Sequence, residues 1–221
     1  MIIYEGPSTL DGAPLVAIAT TKTDNRKTGD MIQTWILRSD LEPTAAIKAG
    51  KDSSICGGCF HRGAEGRPRT CYVNVGQAPL AVYRAYKRGS YPRGTLPNYK
   101  PVRLGAYGDP TAVPFEVWEP ALSARKRAGY THQWRTCDQR FQGLLQASCD
   151  SPAEAMEAAR KGWHTFLVEP HDFDPEVHFT QGIECLSDAA GISCAKCGVC
   201  DGTKSHVWIR AHGTARRFAT A

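Results

Sequence analysis

Apolar residues in this chain come in short runs whose spacing changes along the sequence, and the change predicts its elements. Residues 2–5, 15–20 and 31–38 are compact apolar runs of strand length, with a polar turn at 25–30. A short helix is expected over 43–49, stopped by Gly50, and a second over 79–88, stopped by Gly89. Residues 90–101 form a loop punctuated by proline and glycine. A strand–helix rhythm follows. Residues 102–107 predict a strand ending in Gly108-Asp109-Pro110, and 114–128 a helix with Phe115, Trp118, Ala121 and Leu122 on one face. Pro120 should kink that helix and Gly129 end it. Then come a strand over 130–134, a short helix over 137–144 and a strand over 145–149. Asp150-Ser151-Pro152-Ala153-Glu154 carries a capping residue, a first-turn proline and a capping-box glutamate, so a helix should run to Lys161 and stop at Gly162. A strand over 164–168 follows, and Val207-Trp208-Ile209-Arg210 alternates like one more strand.

Strands alternating with helices imply parallel βαβ units, hence an α/β fold. The expected architecture is an incomplete βα barrel over 1–180, with a cysteine-rich metal-binding extension over 181–221 packed on the same domain. No long linker or repeat divides the chain, and 221 residues suffice for a core without staples. No apolar run reaches membrane-span length, and the amino terminus lacks the pattern of a secretory signal, so a cytoplasmic location is expected. In that reducing compartment clustered cysteines favour metal over disulfides.

Seven of the nine cysteines fall into two sets. Cys56-Gly-Gly-Cys59 precedes Cys71 by eleven residues, and Cys194-Ala-Lys-Cys197-Gly-Val-Cys200 follows Cys185 by nine. Two residues between thiolates let one turn aim both sulfurs at one metal group. Three thiolates on the first loop leave one position of a 4Fe–4S cluster open, where a small molecule can chelate the unique iron. His61, inside that loop, is the candidate fourth ligand of a closed Cys3His zinc centre instead. In the second set the overlapping pairs match an iron–sulfur cube, with Cys185 as fourth ligand; the alternative is a zinc ribbon completed by Cys185, His206 or His212. Cys137 and Cys149 have no partner at ligand spacing, and Cys149 reads as a core residue. His132 and Trp134 are candidates for a barrel mouth, weighed against ordinary core positions.

Charge adds a possible partner. The formal net charge of +5 conceals a segment from Phe60 to Arg103 with nine basic residues and one acid. Within it Arg84, Lys87, Arg88, Tyr91 and Arg93 are candidates for a nucleic-acid surface, against the reading of a solvated helix face and loop. Arg216 and Arg217 would add to that surface.

The strand over 31–38, the loop ending Cys71-Tyr72, the following helix and the strand ending Gly105-Ala106-Tyr107-Gly108-Asp109-Pro110 resemble the first half of the radical SAM barrel. More closely, over roughly 31–212, the chain resembles phage and mobile-element three-Cys-motif proteins. They share the C…CY loop, the Gly-Asp turn, the Asp-Ser-Pro-Glu-type helix start and the C…CxxCxxC tail. The resemblance implies that Gly105, Tyr107, Gly108 and Asp109 meet S-adenosylmethionine, with Asp109 accepting from its ammonium group; the plain alternative for Asp109 is capping its own turn. Cysteine spacing departs from the radical SAM pattern, two and then eleven instead of three and then two, so cluster binding is a stronger expectation than S-adenosylmethionine chemistry. Two function classes stay open: an iron–sulfur enzyme acting on a large anionic substrate such as nucleic acid, and a zinc-stabilised nucleic-acid-binding or adaptor protein. No Walker, Rossmann or Ser-His-Asp pattern supports a third.

Overall fold

The amino-terminal runs pair with their neighbours in sequence: β1 (Ile2–Pro7) lies antiparallel to β2 (Pro14–Thr20), and β2 antiparallel to β3 (Ile32–Arg38). From β3 onward the pairing is parallel, through β4 (Val102–Tyr107), β5 (Arg127–Thr131), β6 (Gln146–Cys149), β7 (Thr165–Glu169), β8 (Ile183–Glu184) and β9 (Val207–Arg210). The nine strands form one sheet in the order β1-β2-β3-β4-β5-β6-β7-β9-β8. The sheet is open, with β1 and β8 at its edges, so the α/β class holds and the strands do not close a barrel. These elements come from a computed structural model, which describes residues 1–64, 66–174 and 182–213. Arg216, Arg217 and the expected boundary at 180 lie outside the described residues. Among those described, no helix is long and apolar enough to cross a membrane.

Three helices fall where the pattern predicts, α1 (Pro43–Lys48), α3 (Ala78–Lys87) and α4 (Pro152–Arg160), while the short α2 (Ser53–Cys56) forms where it predicts none. Two more, α5 (Leu186–Ala189) and α6 (Cys194–Cys197), are single turns in the cysteine-rich tail. The helix expected over 114–128 does not form. Pro114 and Pro120 lack amide donors, and Trp118 is fully buried with its Nε1 donating to the Pro110 carbonyl at 2.9 Å. The chain there makes two 3₁₀ turns, Phe115–Val117 and Glu119–Ser123, and leaves Leu122 exposed. Gly129, read as a helix stop, sits inside β5. A Cβ there would come within 2.8 Å of Leu104 Cβ and 2.5 Å of a Leu145 methyl, so only glycine fits that approach. The helix expected over 137–144 is a 3₁₀ turn, Gln139–Gly143, capped by Asp138.

The pleat sorts side chains onto two faces. Leu104, Ala147, Cys149, Leu167 and Trp208 share one face and pack into the main apolar core, to which α4 contributes Ala158. Gln33, Arg103, Ala128, Tyr130, Ser148, Phe166 and Val207 occupy the other. There the cysteine-rich tail packs Cys185, Cys194, Ala195, Val199 and Cys200 against Met31, Ala128, Tyr130, Phe166 and Val207. One face is therefore an oil-filled layer, and the opposite face carries the unusual residues.

The start of α4 fits its sequence signature. Ser151 Oγ accepts from the Glu154 amide, while Glu154 Oε2 accepts from the Asp150 amide at 2.9 Å. Replacing Ser151 with alanine should cost about 1 kcal/mol. Urea denaturation would show this as a lower midpoint at unchanged slope.

Candidate metal centre

The first cysteine set is assembled at the carboxyl ends of the parallel strands, where open α/β sheets place their ligands. Cys56 ends α2, just after β3. Its segment is tied to the next two strands: Asp109 donates its amide to the Ile55 carbonyl at 2.6 Å, and Gln133 Nε2 reaches the Cys56 carbonyl at 3.4 Å. The eleven-residue gap before Cys71 closes on itself. The amides of Thr70 and Cys71 both donate to the His61 carbonyl, at 3.1 and 2.9 Å. Buried Asp52 clamps both arms of the loop, accepting from Arg62 at 2.7 Å and from Arg69 at 3.2 Å.

Electrostatics place the three thiols near one another. Burial pushes the Cys56 thiol well above its ordinary range, and Cys59, Cys71 and Asp52 push it further. Burial raises Cys71 in the same way, with Arg69 opposing. Neutral thiols here would become thiolates only beside a strong positive charge, which is what a metal supplies. Buried polar atoms without a hydrogen-bond partner gather around this set: Tyr107 Oη, His61 Nε2, Arg62 Nε, His132 Nε2 and Asp150 Oδ1. Tyr107 Oη senses Cys56 and Cys71, and the His132 ring lies against Cys59. Orphaned polar atoms around buried thiols are a sign that the site is built for something besides protein.

The second set lies at the opposite, amino ends of the same strands. Cys194 and Ala195 donate their amides to the carbonyls of Lys27 and Thr28, just before β3. The Cys200 carbonyl accepts from the Gly129 amide, and the Asp201 carbonyl from Arg127 Nε. The tail thus lines the flank of β5 at a point where β6 is too short to pair. Cys185 is anchored by its amide to the Trp208 carbonyl at 2.8 Å. Burial pushes Cys200 up to about 12 against the Tyr130 hydroxyl, with Cys185 and Cys194 adding to the rise. Burial also raises Cys194, helped by Cys185 and Cys197 and opposed by Arg103. The four thiols therefore share one neighbourhood. Of the histidines weighed as zinc ligands, His206 Nδ1 lies 3.0 Å from Thr165 Oγ1 and the His212 ring packs on Tyr72.

Arg103 stands between the two sets. Its guanidinium is buried, stacks 4.7 Å from the Tyr130 ring centroid and donates to the hydroxyls of Tyr72 and Tyr130 at 3.1 and 3.4 Å. Among the described residues no carboxylate lies within ion-pair distance of it; the sulfurs of Cys194 and Cys200 are near enough to feel its charge. Tyr72 directly follows Cys71, so one hydrogen-bonded chain runs from the first set to the second.

The turn Gly105–Asp109 has the shape of a brace. Gly105 and Gly108 have positive φ, and a Cβ on either would come within 3 Å of backbone or proline atoms. Asp109 is buried, and its two oxygens accept four donors: Thr111 amide and hydroxyl, at 3.0 and 2.8 Å, and Thr131 hydroxyl and His132 amide, both at 3.0 Å. No lone pair is left for the ammonium of a ligand. Four of the nine basic residues in the segment from 60 to 103 pair with carboxylates as well. Arg93 pairs with Glu5, Lys100 with Asp30, Arg62 and Arg69 with Asp52, while Tyr91 packs on the core. Arg84, Lys87 and Arg88 remain exposed on α3, with the Lys87 ammonium near the Tyr83 and Tyr86 rings.

Sequence reasoning weighed His132 as a barrel-mouth candidate against a core position and gave it no metal role, and it absorbed Asp150 into a helix cap. Asp52 carried no signal at all, since only the fold brings it to Arg62 and Arg69. Cys137 lines a cleft of about 740 Å³ beside Gly57 and Gln133, where burial lifts its thiol to about 12. Comparison of the chain with family models, curated proteins and solved structures found no match.

Asp109 offers a test of brace against ligand site. Asp109→Asn places an amide group opposite N–H and O–H donors and should lower stability by about 2–4 kcal/mol, read as thermal midpoint with no ligand added. A side chain reserved for an external ligand would leave that midpoint unchanged.

Proposed function

We propose that this chain is a two-site iron–sulfur protein. Cys56, Cys59 and Cys71 would hold a 4Fe–4S cluster with one open iron at the carboxyl ends of the strands. Cys185, Cys194, Cys197 and Cys200 would hold a closed cluster at the amino ends. The observation that carries this reading is the gathering of half-buried thiols that raise one another's pKa, with Tyr107 Oη and Arg62 Nε beside them and without a hydrogen-bond partner among the described residues. Spacing favours clusters over single zinc ions. A tetrahedral zinc with bonds of about 2.3 Å draws its sulfurs to about 3.8 Å of one another. Among the described residues, the group of ligand-type atoms that all lie within 4.8 Å of one another is His61, His132 and Asp150, and neither cysteine set meets that spacing. A cubane carries each cysteine on a different iron and so needs a wider cage.

Arg103 supports the same reading. Among the described residues no carboxylate reaches this buried guanidinium, which calls for an anion, and four thiolates around a cluster leave net negative charge. The sequential parallel order β3-β4-β5-β6-β7, with β9 next, is also the order of a partial βα barrel, the architecture in which an open cluster faces the strand ends. When bound, the open iron would supply a coordination site and an electron. The chain's own residues shape what meets it: Tyr107 and Arg62 border the thiols, and Asp109 locks the strand ends that carry them. S-adenosylmethionine does not fit the Gly105–Asp109 turn, whose glycines are filled by backbone and whose carboxylate is saturated, so no step is assigned to it. For nucleic acid, the surface that supports an encounter reduces to Arg84, Lys87 and Arg88.

Anaerobically purified protein should be brown, with about eight irons and matching sulfide per chain. Cys56→Ser should remove about four of those irons and leave the rest, whereas Cys197→Ser should remove the other set and destabilise the tail. A colourless protein holding zinc would overturn the proposal and leave a zinc-stapled binding protein.

A further inference from the structure

Beside the first cysteine set lies a second group of donors, of different chemistry. His61 follows Cys59 by two residues, His132 follows β5, and Asp150 follows β6. His61 Nε2 is 3.0 Å from Asp150 Oδ1, and His132 Nε2 is 3.5 Å from Asp150 Oδ2. The two rings meet edge to face at 5.9 Å. We infer that His61, His132 and Asp150 form a divalent-cation site of their own, separate from the thiolates, for an ion that prefers nitrogen and oxygen ligands.

Three features carry this. The contacts are close, yet His61 Nε2, His132 Nε2 and Asp150 Oδ1 all lack a hydrogen-bond partner. The three side chains thus stand at ion-pair distance while these three buried atoms stay without a hydrogen-bond partner among the described residues. The spacing suits an ion. Donors held about 2.1 Å from a metal sit about 3.0 Å apart in octahedral and about 3.4 Å apart in tetrahedral geometry. The histidine nitrogens lie 3.0 and 3.5 Å from the two oxygens of one carboxylate, and one donor atom from each residue comes within 4.8 Å of the others, a cage of the size an ion needs.

The third feature is the outer ring of hydrogen bonds. His61 Nδ1 lies 2.9 Å from Thr70 Oγ1, which leaves Nε2 as the free ligand atom. The His132 amide is held by Asp109 and the Asp150 amide by Glu154. All three side chains are mostly buried, at 14%, 17% and 10% exposure. Two imidazoles and a carboxylate suit Mn²⁺, Fe²⁺ or Zn²⁺ and leave positions open for water or a bound molecule. An ion there would stand at the strand ends, next to the position where the first cluster is proposed.

The probe is Mn²⁺, because it favours nitrogen and oxygen over thiolate and so leaves the cysteines alone. Titration of the full, cluster-loaded chain, followed by the electron paramagnetic resonance of free Mn²⁺, should show one saturable ion per chain. Asp150→Asn and His132→Gln should each weaken it at least tenfold, since even outer-ring changes cost that much. Both variants should retain wild-type iron and sulfide, and circular dichroism checks their folding; if one is unfolded, His61→Gln replaces it. No saturable Mn²⁺, or saturable Mn²⁺ that the folded variants keep, means an ion-pair network only and overturns the proposal. Iron counted in the same samples reports on the cluster reading independently: a colourless wild type that still binds one Mn²⁺ would sink the clusters and keep this site.

Discussion

The buried guanidinium of Arg103 is the constraint around which this structure is arranged. Removing that charge from water is costly, and no carboxylate comes within ion-pair distance to offset it among the described residues. Tyrosine hydroxyls and the face of Tyr130 supply part of the compensation. The Cys194 and Cys200 sulfurs are also near enough to influence its charge. Arg103 also fixes Tyr72, and through Tyr72 the end of the first cysteine loop. A single cation on β4 thus links the two ends of the sheet.

Around that link the sheet separates its tasks by face and by end. One face, from β4 to β9, is apolar and packs into the main core. The other carries polar and sulfur-bearing residues that would be costly in an ordinary core. Asp109 and Asp52 make the carboxyl end workable. Asp109 saturates donors from the loops after β4 and β5, and Asp52 holds the arginines at both arms of the cysteine loop. Each is a buried carboxylate whose partners come from distant sequence. Within this rigid lattice, atoms of His61, Arg62, Tyr107, His132 and Asp150 remain without a hydrogen-bond partner among the described residues. A preorganised environment of that kind suits a bound metal group better than it suits an empty core.

Much of the architecture was legible because strong local signals coincided with it. The strand over 102–107, the capped start of α4 and the helix ending at Gly89 all rest on short-range chemistry. Residues 114–128 misled for a physical reason. Their apolar spacing suits a helix, but two prolines and the buried indole of Trp118 favour separate turns. Gly129 looked like a stop and proved to be the point where β5 and Leu145 come into contact. The site divided in the same way. The seven cysteines announced themselves by spacing, whereas His132 and Asp150 carried local readings as core and cap that concealed their convergence.

By itself the sequence determined the α/β class, the pairing of CxxC units into two sets and the excess of positive charge between 60 and 103, because each depends on residues near one another in the chain. Tertiary structure alone decided that the two sets lie at opposite ends of one open sheet, that four of the nine basic residues of that segment pair with carboxylates, and that Asp109 accepts from its own turn and from the end of β5. It also brought His61, His132 and Asp150 together. These are matters of which strand ends meet and which charges lose their water, and neither is written in spacing along a chain.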